Sequence, residues 1–159
     1  MSYSRSGKVV GGASGPLVLW ALLFLFTLRV LGQLLVALGR GWFLPPMEKW
    51  QSGLLAYPLL FTSQVVIIVL YSKVCLDFTR RKGFFFAPRR MFGPGLVAVG
   101  SIYFAAMLAR YAVRMTLYPQ ERWTGGTIPI FFHWVLAAFI ISVGRHHLSS
   151  QSNTSSISQ

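Results

Sequence analysis

The sequence predicts an all-α, polytopic membrane protein of four transmembrane helices, and three observations carry that prediction. Four apolar runs are each long enough to cross a bilayer, charge is scarce along the whole chain, and basic residues gather on alternate connections. Of the 159 residues, 54% are hydrophobic and 11% charged, with a mean hydropathy of +0.57. A water-exposed domain carries about 25% charged residues. The deficit leaves too little polar material to cover a soluble surface of this size, and the long apolar runs account for it. The length accommodates one compact bundle without a separate soluble domain.

Residues 1–15 are polar and rich in Gly and Ser, with Arg5 and Lys8, and read as a disordered leader. The first span, 17–38, contains Thr27, Arg29 and Gln33 within an otherwise apolar run. At about 1.5 Å per residue such a run covers the roughly 30 Å hydrocarbon core. Ala37-Leu38-Gly39 loosely resembles a signal-peptide cleavage site. The run is longer than the apolar core of a signal peptide and carries an internal arginine, so a retained span is expected.

The second span, 54–72, has Pro58 near its start, where a missing backbone donor costs least. A strongly basic stretch, 73–93, follows. Its Phe84-Phe85-Phe86 run, with Pro88 after it, is expected to lie in the membrane interface. Spans three and four are expected at 96–116 and 127–145, so that the transmembrane bundle occupies 16–147. The Ser-rich tail, 148–159, is expected to be disordered.

The net charge of +12 comes from 15 Lys and Arg against Glu48, Asp77 and Glu121. Arg5, Lys8, Lys73, Arg80, Arg81, Lys82, Arg89, Arg90 and Arg145 flank the spans on one side; Arg40, Lys49 and Arg122 flank them on the other. The positive-inside rule makes the richer side cytoplasmic, with both termini there. Localisation to a bacterial inner (cytoplasmic) membrane follows as the expectation. The same basic rim should attract anionic lipid headgroups. Nucleic acid is not an expected partner, because no aromatic-basic platform accompanies the charge. Trp42, Trp50 and Trp123 fall at the outer interface. Cys75, the sole cysteine, forms no intramolecular disulfide and is expected to pack near the inner surface.

The two outer connections share a pattern. Pro46-Met47-Glu48-Lys49-Trp50-Gln51-Ser52-Gly53 and Pro119-Gln120-Glu121-Arg122-Trp123-Thr124-Gly125-Gly126 both read Pro-x-Glu-basic-Trp-x-x-Gly. Each leads into a span with an early proline, Pro58 or Pro129. Two spans per half would make the halves parallel helical-hairpin repeats about an axis along the membrane normal.

Arginine within a span costs roughly 2.5–3.5 kcal/mol at the bilayer centre, so each one calls for a partner. Arg29 and Gln33 share a helix face, as do Arg110 and Arg114, each pair at i,i+4. The topology places these four with His133 in the outer half of the bilayer, under Glu48, Glu121, Trp50 and Trp123. Three buried arginines against two carboxylates leave a cation for Tyr103, Tyr111, a backbone carbonyl or a bound anion. These nine residues form the candidate site for an anion or headgroup. A purely structural role, cross-linking the helices, competes with it.

No catalytic residue, metal set or cofactor motif is identified. His133 is the one histidine within the apolar spans, with His146 and His147 at the far end of the same helix, so a bis-histidine haem has no ligand pair at one depth. No metalloprotease, nucleophile-elbow, phosphate-loop or dinucleotide pattern occurs in a usable context. The expected function is a small binding or accessory subunit that holds an anionic lipid, a cofactor headgroup or a membrane protein partner. A membrane enzyme acting on an anionic lipid or isoprenoid, and an anion-conducting or exporting oligomer, are the alternatives.

Overall fold

A computed structural model of the chain describes residues 14–40, 44, 56–87, 89, 91–118 and 127–155. Its four helices are α1 (Ser14–Ala37), α2 (Tyr57–Arg80), α3 (Phe92–Leu117) and α4 (Thr127–Ser155). All four are long and apolar enough to span a membrane, which suggests an integral membrane protein of the helical class. Many large apolar side chains stay exposed, including Leu17, Phe24, Val69 and Ile102. In lipid that outward surface is the solvated one, so burial here marks helix–helix contact alone.

The helices outrun the apolar runs that define them. α2 was expected to stop at Ser72, but it continues two turns further, where Lys73 and Asp77 form an i,i+4 ion pair. It ends at Arg81, in the left-handed conformation at φ 50°. α3 starts at Phe92, four residues before the expected boundary. α4 continues through Ser155, past the expected end of the fourth span at Arg145. No glycine or proline interrupts the chain beyond Arg145 to end the helix, and Ser149 bonds back to the His146 carbonyl at 3.1 Å.

α1 packs against both α2 and α4, and α3 packs against α4. One apolar cluster joins Leu19 and Leu23 of α1, Val74, Cys75 and Phe78 of α2, and Phe139 and Val143 of α4. Tyr71 stacks on Phe139 with ring centroids 3.8 Å apart, carrying α2 onto α4. The second cluster, Phe26 and Val30 with Val135 and Leu136, continues the same seam toward the other end. Cys75 is buried in the first.

The two hairpins are built differently. α3 and α4 approach through glycines: a Cβ on Gly144 would lie 2.9 Å from the Val97 amide nitrogen, and one on Gly100 would lie 2.7 Å from Ile141 Cγ1. Small residues at such a crossing let backbones meet without a hydrophobic driving force. α1 and α2 are instead tied by side chains at both ends. Trp20 Nε1–H donates to Thr79 Oγ1 at 2.9 Å, and Gln64 Nε2–H donates to Gln33 Oε1 at 3.0 Å. The Glu-Trp motifs that suggested a repeat lie outside the described residues.

Gly144→Val should therefore destabilise the protein by about 1–3 kcal/mol through overpacking against backbone. Gly95→Ala, where a Cβ meets nothing within 4 Å, should leave stability unchanged or slightly raised. Thermal unfolding of the two variants in one detergent checks this; equal midpoints would remove the close crossing from the fold.

Candidate functional site

Arg29, Gln33 and Gln64 form a buried polar row between α1 and α2. Arg29 is 8% exposed and Gln33 is completely buried. Their i,i+4 spacing lets Arg29 Nη1–H donate to Gln33 Oε1 at 3.4 Å. The same oxygen accepts from Gln64, so one carbonyl serves two donors from two helices. The opposite atoms of the amides, Gln33 Nε2 and Gln64 Oε1, are buried without a hydrogen bond. The guanidinium of Arg29 also lies over the Phe132 ring of α4, 5.4 Å from its centroid. This cation–π contact extends the row from α2 through α1 to α4.

His133 is the next residue along α4, so it projects from an adjacent face. Its Nδ1 shares a hydrogen bond with the Tyr103 hydroxyl of α3, their rings 5.8 Å apart and nearly perpendicular.

Arg110 departs from its expected place. It was expected to face the bundle interior, but it is exposed on α3. α3 touches α4 alone, so one narrow stripe of it is covered and Arg110 lies beside that stripe, seven residues from Tyr103. Arg114 is half-buried, with its guanidinium over the Tyr118 ring. Tyr111, which was available as an arginine partner, instead meets Trp134 edge-on at 5.6 Å.

Of the expected residues, Arg29 and Gln33 bond to each other and Arg29 lies over Phe132 beside His133, while Arg110 and Arg114 lie on α3, which packs on α4 and not on α1. Glu48, Trp50, Glu121 and Trp123 lie outside the described residues. Asp77 is the one carboxylate among the described residues, and it sits at the other end of α2. Gln64 and Tyr103 belong to the row although the sequence singled out neither as a site residue. A glutamine in an apolar span was the available signal for Gln64; Tyr103 was named as a possible arginine partner, and nothing in the pattern tied it to His133. Among the described residues no group of His, Cys, Asp and Glu is arranged to hold a metal ion.

The chain matches no protein-family model, no curated protein and no solved structure. The site is therefore read from its own geometry.

The Gln33–Gln64 bond is testable as a coupling. A double-mutant cycle with Gln33→Ala and Gln64→Ala should give an interaction of about 0.5–2 kcal/mol, the range of interhelical hydrogen bonds in lipid. Additive effects of the two changes would mean that the amides do not hold α1 to α2.

Proposed function

We propose that this chain is a small, non-enzymatic membrane subunit that holds an anionic headgroup, of a lipid or a cofactor, between α1 and α3 over α4. One observation carries the reading: the Arg29 guanidinium, buried in α1, lies over Phe132 next to the Tyr103-bonded His133 of α4, with the Gln33 amide nitrogen buried beside it without a hydrogen bond. An arginine within a span is costly, and a bound anion offsets part of that cost. A phosphate or carboxylate fits the forked donors of arginine. Arg110, exposed on α3, would offer the accessible donor, and the buried row supports the fixed one. The unbonded Gln33 amide nitrogen and Gln64 carbonyl give the same region a spare donor and acceptor for polar parts of the headgroup.

In this reading the His133–Tyr103 bond fixes the imidazole as part of the wall. The basic residues on the two termini and on the α2–α3 connection favour a cytoplasmic position for both ends of the chain, and so an outer-half position for the site. A bacterial cytoplasmic membrane is the setting proposed. The site would be completed by Glu48 and Glu121 with Trp50 and Trp123 from the connections above it.

Native mass spectrometry of the protein purified gently from its membranes tests the reading. A stoichiometric anionic adduct is expected, and Arg110→Gln should weaken its retention roughly tenfold, the loss of one charge-assisted bond. An adduct indifferent to Arg110→Gln, or a wild-type chain that carries none, would contradict a binding role for the cluster.

A further inference from the structure

The opposite end of the molecule holds a second arrangement that the outer cluster does not use. The connection from α2 to α3, expected to lie in the membrane interface, folds back over the helix ends. Asp77, 4% exposed, pairs with Lys73 and accepts the Phe85 amide hydrogen at 3.3 Å. Gly83, at φ 113°, passes so close that a Cβ there would lie 2.5 Å from the Asp77 carboxyl carbon. Only glycine meets both conditions. Phe86 then packs edge-on against Phe78, and His146 Nε2–H donates to the Phe86 carbonyl at 3.3 Å. Phe85 and Phe86 are half-buried by this fold, while Phe84 stays exposed.

The fold has an electrostatic consequence. Asp77 is consumed internally, so every exposed charge described on this connection is positive: Arg80, Arg81, Lys82 and Arg89. Arg89 is held with its guanidinium 3.9 Å from the Phe84 ring centroid and 5.6 Å from that of Phe92. Around it stand the exposed apolar side chains of Phe84, Phe92 and Met91, the last 88% exposed.

α3 opens at Phe92, with no side-chain cap and no acidic residue in its first turn. The positive end of its dipole therefore lies beside Arg89, and no acidic residue stands in that first turn. His147 is 2% exposed with Nδ1 making no hydrogen bond; its ring lies 6.4 Å from that of Phe92, and Arg89 acts on it electrostatically.

We infer that the folded α2–α3 connection, with Arg89 between Phe84 and Phe92 at the start of α3, is a docking site for the phosphate of an anionic membrane lipid. The Arg89 guanidinium beside the start of α3 suits a phosphate diester. The exposed Phe84, Met91 and Phe92 suit the boundary between headgroup and acyl chain, where a free phosphate offers them nothing. The lipid's acyl chains would run along the neighbouring exposed face of α3, which carries Val99 and Ile102. Arg80, Arg81 and Lys82 add a diffuse attraction, while Arg89 supplies the fixed contact.

The test uses the full chain in zwitterionic detergent, titrated with phosphatidylglycerol or with phosphatidylcholine and read by native mass spectrometry. Arg110→Gln serves as the background, so that the outer cluster does not supply the signal. Phosphatidylglycerol should be retained about tenfold over phosphatidylcholine, and adding Arg89→Gln should lower its retention about fivefold. Arg89→Lys should restore part of it, which separates a ligand role from a folding role. Equal retention of the two lipids, or indifference to Arg89→Gln, would overturn the inference. Displacement of the lipid by millimolar inorganic phosphate would assign the site to free phosphate and overturn the lipid assignment. Capture of an acidic peptide in preference to the lipid would do the same. Loss of the Arg89-dependent adduct leaves the outer-site reading standing, because that site depends on Arg110.

Discussion

The guanidinium of Arg29 sets the terms for the rest of the molecule. Hydrocarbon offers it no partner, and its position well inside α1 puts water out of easy reach. It has to be met from inside, by Gln33 one turn on and by the Phe132 ring of α4. Gln33 in turn takes Gln64 from α2. One arginine thus fixes which faces of three helices look at one another. The apolar seams of Leu19, Leu23, Phe26 and Val30 against α2 and α4 follow that orientation. Helices with little apolar preference between protein and lipid gain their specificity from contacts of this kind.

α4 is the common member of the bundle. It receives α1 along its apolar seam and α3 along the glycine crossing at Gly100 and Gly144. Each end of α4 meets a different chemistry. Near its start, Phe132 and His133 meet the polar row and Tyr103; near its other end, His146 closes on the folded α2–α3 connection. α3, held by one neighbour, leaves most of its surface outward, and that is why Arg110 is exposed despite its depth in the sequence pattern. The same openness leaves α1 and α3 each packed on α4 and not on each other.

Much of this architecture was legible in the chain. Four apolar runs marked four helices, and the i,i+4 spacing of Arg29 and Gln33 placed both on one face. What escaped has physical reasons. Apolar runs measure the width of the hydrocarbon, whereas helices end where backbone partners run out; Lys73 and Asp77 therefore extend α2 past its apolar part. The aromatic run at 84–86 carries no periodicity that would reveal Phe85 and Phe86 turning inward, and only Gly83 with Asp77 hints at the fold-back. The exposure of Arg110 depends on which helices touch. Four spans with similar apolar faces do not specify a neighbour order, and here the order follows from glycines that read, in sequence, like ordinary small residues.

A buried charge is often replaceable by a well-packed apolar side chain without loss of stability, whereas a ligand contact is not. Arg29→Met therefore separates the two roles of the central guanidinium. We expect the variant to stay folded in detergent, with an unfolding midpoint within a few degrees of the wild type, and to lose the bound anionic headgroup. A variant that unfolds far earlier while still carrying the same adduct would contradict the binding role and make Arg29 a structural tie alone.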